Sequence, residues 1–141
     1  MSSFKAINLT KTVEHQSELD PNKGTDKAVI FTLGAIDTRT FSSIFDKQIE
    51  SKTNKEGEII IKPNQLTAAY QFVKFGLKGL QNWLDDKDSP IEFKTERVNV
   101  FGKSYTLVTD SILEGFPSEL ITELAEAIID INNLSESDVK N

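Results

Sequence analysis

The 141 residues suit one domain of ordinary size and can bury a core without disulfides or metals. There is no cysteine, which excludes disulfides, thiolate chemistry and sulfur-ligated zinc, and the single histidine leaves no second imidazole for a conventional metal cluster. The formal net charge of −6 comes entirely from the second half: from Asp110 to Asp138 there are eight acids and no base. Such a face repels phosphate backbones, so nucleic acid is not an expected partner, and its plain reading is a solvated surface that aids solubility.

Residues 1–27 are polar and rich in turn formers. Leu19-Asp20-Pro21-Asn22-Lys23-Gly24 is a strong turn signal, and the segment reads as a poorly ordered arm or an extended edge segment. His15 lies in it, and a lone histidine in a polar arm reads as solvated. Ala28 to Leu33 is rich in β-formers and stops at Gly34, which predicts a strand. A helix follows, capped by Asp37, with Ile36 and Phe41 placed as a hydrophobic staple and Phe41, Ile44, Phe45 and Ile49 on one face. It should fray near Ser51 to Asn54.

Lys55-Glu56-Gly57 marks a turn, Glu58 to Lys62 a short strand, and Pro63 the start of a second helix. That helix carries Leu66, Ala69, Tyr70, Val73 and Leu77 on one stripe, with Thr67, Gln71, Lys74 and Lys78 opposite. Its end is open: Gly76 and Gly79 each cost about 1 kcal/mol inside a helix, and either is a candidate C-cap. Asp85 to Pro90 is a polar loop, and Ile91 to Tyr105 a hairpin turning at Phe101-Gly102-Lys103, with its second strand reaching Val108. Asp110 caps a short turn from Ser111 to Glu114. Pro117 opens the last main helix, striped by Leu120, Ile121, Leu124, Ile128 and Ile131 and ended by Asn132-Asn133, with Ser135 and Asp138 capping one further turn. The sum is an α+β protein: a small antiparallel sheet or hairpin packed with three main helices, with residues 1–27 as an arm and 28–141 as a single domain.

Signatures of chemistry are scarce. Asp85-Asp86-Lys87-Asp88 lacks the ligand spacing and the glycine of a calcium loop. There is no phosphate loop, dinucleotide fingerprint or nucleophile elbow, so the expectation is a protein without catalysis or cofactor. No apolar run approaches the roughly 18 residues of a membrane span, and Met1 to Thr10 has no signal-peptide core, which predicts a soluble protein with no membrane partner. If the second helix runs on to Trp83, then Phe72, Phe75, Gly76, Gly79 and Trp83 make a second apolar face. That face is either a core aromatic cluster or a surface for a partner or a second copy, with Phe72, Phe75 and Trp83 as its candidate contact residues and the glycines admitting another backbone.

The run Phe72 to Trp83 (Phe-Val-Lys-Phe-Gly-Leu-Lys-Gly-Leu-Gln-Asn-Trp) resembles a segment of the small tail assembly chaperones of long-tailed phages. So do Pro90-Ile91-Glu92-Phe93-Lys94-Thr95, Gly102-Lys103-Ser104-Tyr105, Leu113, Phe116-Pro117 with the helix Leu120 to Ala127, and the close Leu134 to Asn141. The likeness spans residues 66–141, with Asp20 to Thr25 and the following strand agreeing more weakly. It implies a non-catalytic protein of the infected host cytoplasm that binds the tape measure protein, helps bring tail tube subunits onto it, and is absent from the mature virion. Two other classes fit the same composition: a structural tail or connector component, and a small phage protein that binds a host or defence factor. For all three, the acidic C-terminal half predicts no DNA mobility shift at physiological salt; a tight, salt-sensitive shift would contradict the charge argument.

Overall fold

In the computed structural model, residues 6–50, 65–100 and 102–140 are described. Strand β1 is Thr12–His15, β2 Ile30–Gly34, β3 Leu77–Gln81, β4 Thr95–Val100 and β5 Lys103–Val108. Helix α1 is Thr38–Glu50, α2 Gln65–Gly76, α3 the short Asp110–Leu113 and α4 Ser118–Lys140. The architecture is α+β: a three-stranded antiparallel sheet ordered β1-β2-β3, a separate β4–β5 hairpin, and the helices packed against them.

Strand β2 forms where β-branched and aromatic residues alternate, sending Phe31 and Leu33 into the core. It pairs with β1 from Thr12↔Gly34 to His15↔Phe31, and with β3 across a register shift between Thr32 and Leu33. The segment expected as an arm therefore contains an edge strand. Beyond it, Asp20 organises the turn, accepting from Asn22 N at 2.8 Å and Val29 N at 2.8 Å. His15 is not solvated: its Nε2 lies 2.7 Å from Oε2 of Glu123 on α4.

Asp37 caps α1 as its position suggests, accepting from the backbone N–H of Thr40 at 3.1 Å while its carbonyl takes the first helical bond from Phe41. Ile44 is buried and Phe41 and Phe45 are half-buried against the core. The fraying at Ser51 to Asn54, the turn at Lys55 to Gly57, the strand Glu58 to Lys62 and the helix start at Pro63 lie outside the described residues.

Helix α2 stops at Gly76 and the chain passes directly into β3, so the continuous helix to Trp83 does not exist. Gly76 is also a point of close packing. A Cβ on Gly76 would lie 2.6 Å from Cδ1 of Ile128, a fully buried residue of α4. Leu77 then continues on the sheet instead of the helix stripe. Leu66, at the head of the expected stripe, is 51% exposed, whereas Lys74 on the expected solvent arc is buried.

Three further boundaries differ from expectation. The first hairpin strand begins at Thr95, because Ile91 N is used by Trp83 O at 2.8 Å and Lys94 O by Thr109 N at 3.1 Å. Asp110 does not cap α3: Thr109 holds the cap position without a side-chain bond, and the Asp110 carboxylate is taken by Tyr70 and Lys74. Helix α4 runs through Asn132-Asn133 to Lys140, so no second cap forms at Ser135.

Asn132 has a different task. Its buried amide accepts from Ile36 N at 3.1 Å and donates to Ile36 O at 2.7 Å, satisfying the backbone where β2 gives way to α1. Asn132→Ala strands both Ile36 groups in the interior and should cost about 2–4 kcal/mol, read as a lower urea midpoint with an unchanged slope.

Candidate functional site

The three aromatic residues singled out for partner binding go to three neighbourhoods. Phe72, 2% exposed, packs with Phe41 and Phe45 at ring separations of 5.1 and 5.7 Å. Phe75 meets Tyr105 edge-on at 5.5 Å. Trp83, beyond β3, is half-buried against Phe31 at 6.2 Å and Phe116 at 4.9 Å. Trp83 does not share a face with the other two, and Phe72 and Phe75 are buried in the core. The close approach expected at the glycines is also used internally, by Ile128 at Gly76 and by Thr32 at Gly79.

Trp83 borders an open cleft of about 600 Å³, lined from the other directions by Leu84, Pro90, Ile91 and Ile112. Three chain segments build it. The loop after β3 is fixed by Asn82, whose positive φ turns the chain and whose amide donates to Ala28 O at 2.8 Å. The loop then folds back through Asp85, whose Oδ1 accepts from Lys87 N at 2.8 Å and Ser89 N at 2.9 Å, and whose N–H donates to Ser89 O. The first of the three carboxylates in Asp85-Asp86-Lys87-Asp88 thus serves its own turn. A bridge between Leu84 and Pro90 closes the loop and brings Ile91 beside Trp83. Helix α3 supplies the third wall.

Trp83, Ile91 and Ile112 are the more buried, apolar floor of the cleft, and its exposed rim carries Leu84 with Asp85, Asp86 and Glu92 against the single base Lys94. Leu84, next to the indole in sequence, is 47% exposed. Sequence reasoning found Trp83 but missed Leu84, Ile91, Ile112, Asp86 and Glu92. The available signal was an apolar Trp-Leu pair followed at once by an acidic loop.

Elsewhere the polar residues hold the fold. Lys74, with its side chain 9% exposed, is neutralised by Glu96 at 3.0 Å and Asp110 at 3.2 Å, tying α2 to the hairpin and α3. Tyr70 donates to the same Asp110 carboxylate at 2.6 Å; burial, reinforced by that anion, pushes its phenol far above its ordinary range. The Tyr70 bond, then Lys74, holds the Asp110 carboxyl below its usual value. Burial pushes Asp37 up, but the donors Thr40 N, Thr40 Oγ1 and Tyr105 OH outweigh it and leave the carboxyl depressed. Burial also lowers Lys78, partly offset by the Asp37 charge; its Nζ donates to Phe75 O at 2.8 Å at the end of α2. Among the described residues, no group of three His, Cys, Asp or Glu side chains is gathered to hold a metal, and no helix is long and apolar enough to cross a membrane.

No protein-family model matches the chain, and searches of curated proteins and of solved structures return no similar protein.

Asp37 and Asp110 set an acid limit on the fold. Each is depressed in the folded state, so its contribution is complete above the ordinary carboxylate pKa of about 3.9 and is lost as pH falls through the lower folded value. The melting temperature should drop between about pH 5 and about pH 2. In an Asp37→Asn, Asp110→Asn double variant the drop should shrink, with part of the loss already present at neutral pH.

Proposed function

We propose that this chain is a non-catalytic tail assembly chaperone of a long-tailed phage, acting in the host cytoplasm by binding a tape measure protein and helping tail tube subunits assemble on it. One observation carries the reading. Two of the segments in which the sequence resembles that family line one cleft: Trp83 ends the first, Pro90, Ile91, Glu92 and Lys94 belong to the second, and Phe116 of a later one packs on Trp83. Parts of a chain that resemble a family only for folding have no need to meet at an open surface. Here they meet beside the exposed Leu84 and an acidic rim.

The surface chemistry supports the same reading. A protein that handles long helical chains before assembly needs apolar contact area that does not drive its own aggregation. A cleft with its apolar floor set among carboxylates meets both demands. Among the described residues, the remaining large exposed apolar side chains, Leu9, Val13, Leu19 and Leu66, do not line it.

Co-expression with the tape measure protein of the same phage tests the proposal. The tagged chain should retain the tape measure protein through purification and raise its soluble yield several-fold, and purified particles should lack the chain. Recovery of the chain in particles at fixed copy number would overturn the reading in favour of a structural tail or connector component. Capture of a host protein with no tape measure protein would overturn it in favour of a host-factor binder.

A further inference from the structure

We infer that the cleft beside Trp83 docks a helical segment that presents bulky apolar residues flanked by lysine or arginine. Only the identification of that segment with part of a tape measure protein rests on the function proposed above.

Charge complementarity selects the flanks. Asp85, Asp86 and Glu92 stand on the rim against Lys94 alone, so a segment with basic residues beside its apolar anchor is attracted and an acidic one is repelled. The apolar lining selects the anchor. Trp83, Leu84, Ile91 and Ile112 offer aromatic and aliphatic surface in a volume of about 600 Å³, room for more than one large side chain, as positions i, i+3 and i+4 of a helix supply.

The backbone of the walls argues against an added strand. Ile91 N is bonded to Trp83 O, Asp85 N to Ser89 O, and Thr109 N to Lys94 O, while Pro90 has no N–H to give. These ladder positions are already used within the fold. What the cleft offers is side-chain contact, which suits a helix whose own backbone groups are satisfied internally.

Trp83 is the chain's only tryptophan, so its emission reports on this cleft alone. The full-length protein is titrated with two synthetic helical peptides that lack tryptophan and share one leucine stripe, flanked by lysines in one and glutamates in the other. The lysine peptide should shift Trp83 emission to the blue, saturably, and bind about tenfold more tightly at low salt, with the advantage falling as salt rises. Asp86→Lys with Glu92→Lys should reverse the preference, and Leu84→Ser should weaken both peptides. All three positions are exposed, and a thermal melt checks that the variants fold. Equal binding of both peptides, unchanged emission with either, or a concentration-dependent blue shift without peptide, the mark of a second copy in the cleft, would each overturn the inference. The double variant also separates the two claims. Capture of tape measure protein at full strength after the peptide preference has reversed would remove this docking site and leave the chaperone reading standing. Preserved peptide selectivity with no tape measure capture by the parent protein would do the opposite.

Discussion

The close contact between Gly76 and Ile128 is the constraint that sets the approach of α2 to α4. A side chain at residue 76 would overlap the Ile128 side chain, so only glycine lets α2 and α4 come this close. Ending α2 there sends residues 77–81 into the sheet, where β3 covers the free side of β2. That switch carries Trp83 away from the Phe72 and Phe75 side of the helix and into the angle between the sheet and α3. Had α2 continued, the indole would have lain on a helix face, and the loop from Asp85 to Pro90 would have had no wall to fold against.

Much of the fold was legible because its signals were local. Asp37 before Phe41, the β-branched run ending at Gly34, and the stripe from Leu120 to Ile128 each state an element within a few residues. What was not legible depended on distant neighbours. The close approach at Gly76 is made by Ile128, fifty-two positions away in the chain, and helical spacing cannot report that. Asn132 looks like a helix stop in one dimension, yet in three it serves the backbone of Ile36. Of the candidate site, Trp83 was visible as a surplus aromatic residue. Its neighbours were hidden because Ile91 read as the start of a hairpin and Ile112 as part of a short turn, twenty-one positions apart in the chain.

The acidic second half divides into two populations. Asp110 and Glu123 are committed inside the molecule, one to Tyr70 and Lys74, the other to His15, Ser17 and the N–H of Glu18. Asp86 and Glu92, outside the long base-free run, stand exposed beside apolar surface, where a carboxylate limits non-specific association and sorts approaching segments by sign. Net charge alone does not distinguish these tasks, because a carboxylate that neutralises a buried lysine and one that guards a groove count equally toward −6.

The grip of Glu123 on the edge strand and its turn has a consequence for the order of folding. Its oxygens take Ser17 Oγ at 3.0 Å and the Glu18 N–H at 3.2 Å besides the His15 ring, closing loops of more than one hundred residues. Contacts of such separation carry a large closure cost and form late. During synthesis β1 leaves the ribosome well before α4, so this clasp stays open until α4 has been made. Pairing of β1 with β2 needs no such wait, so it is the closing of the clasp that marks a chain whose translation has passed α4.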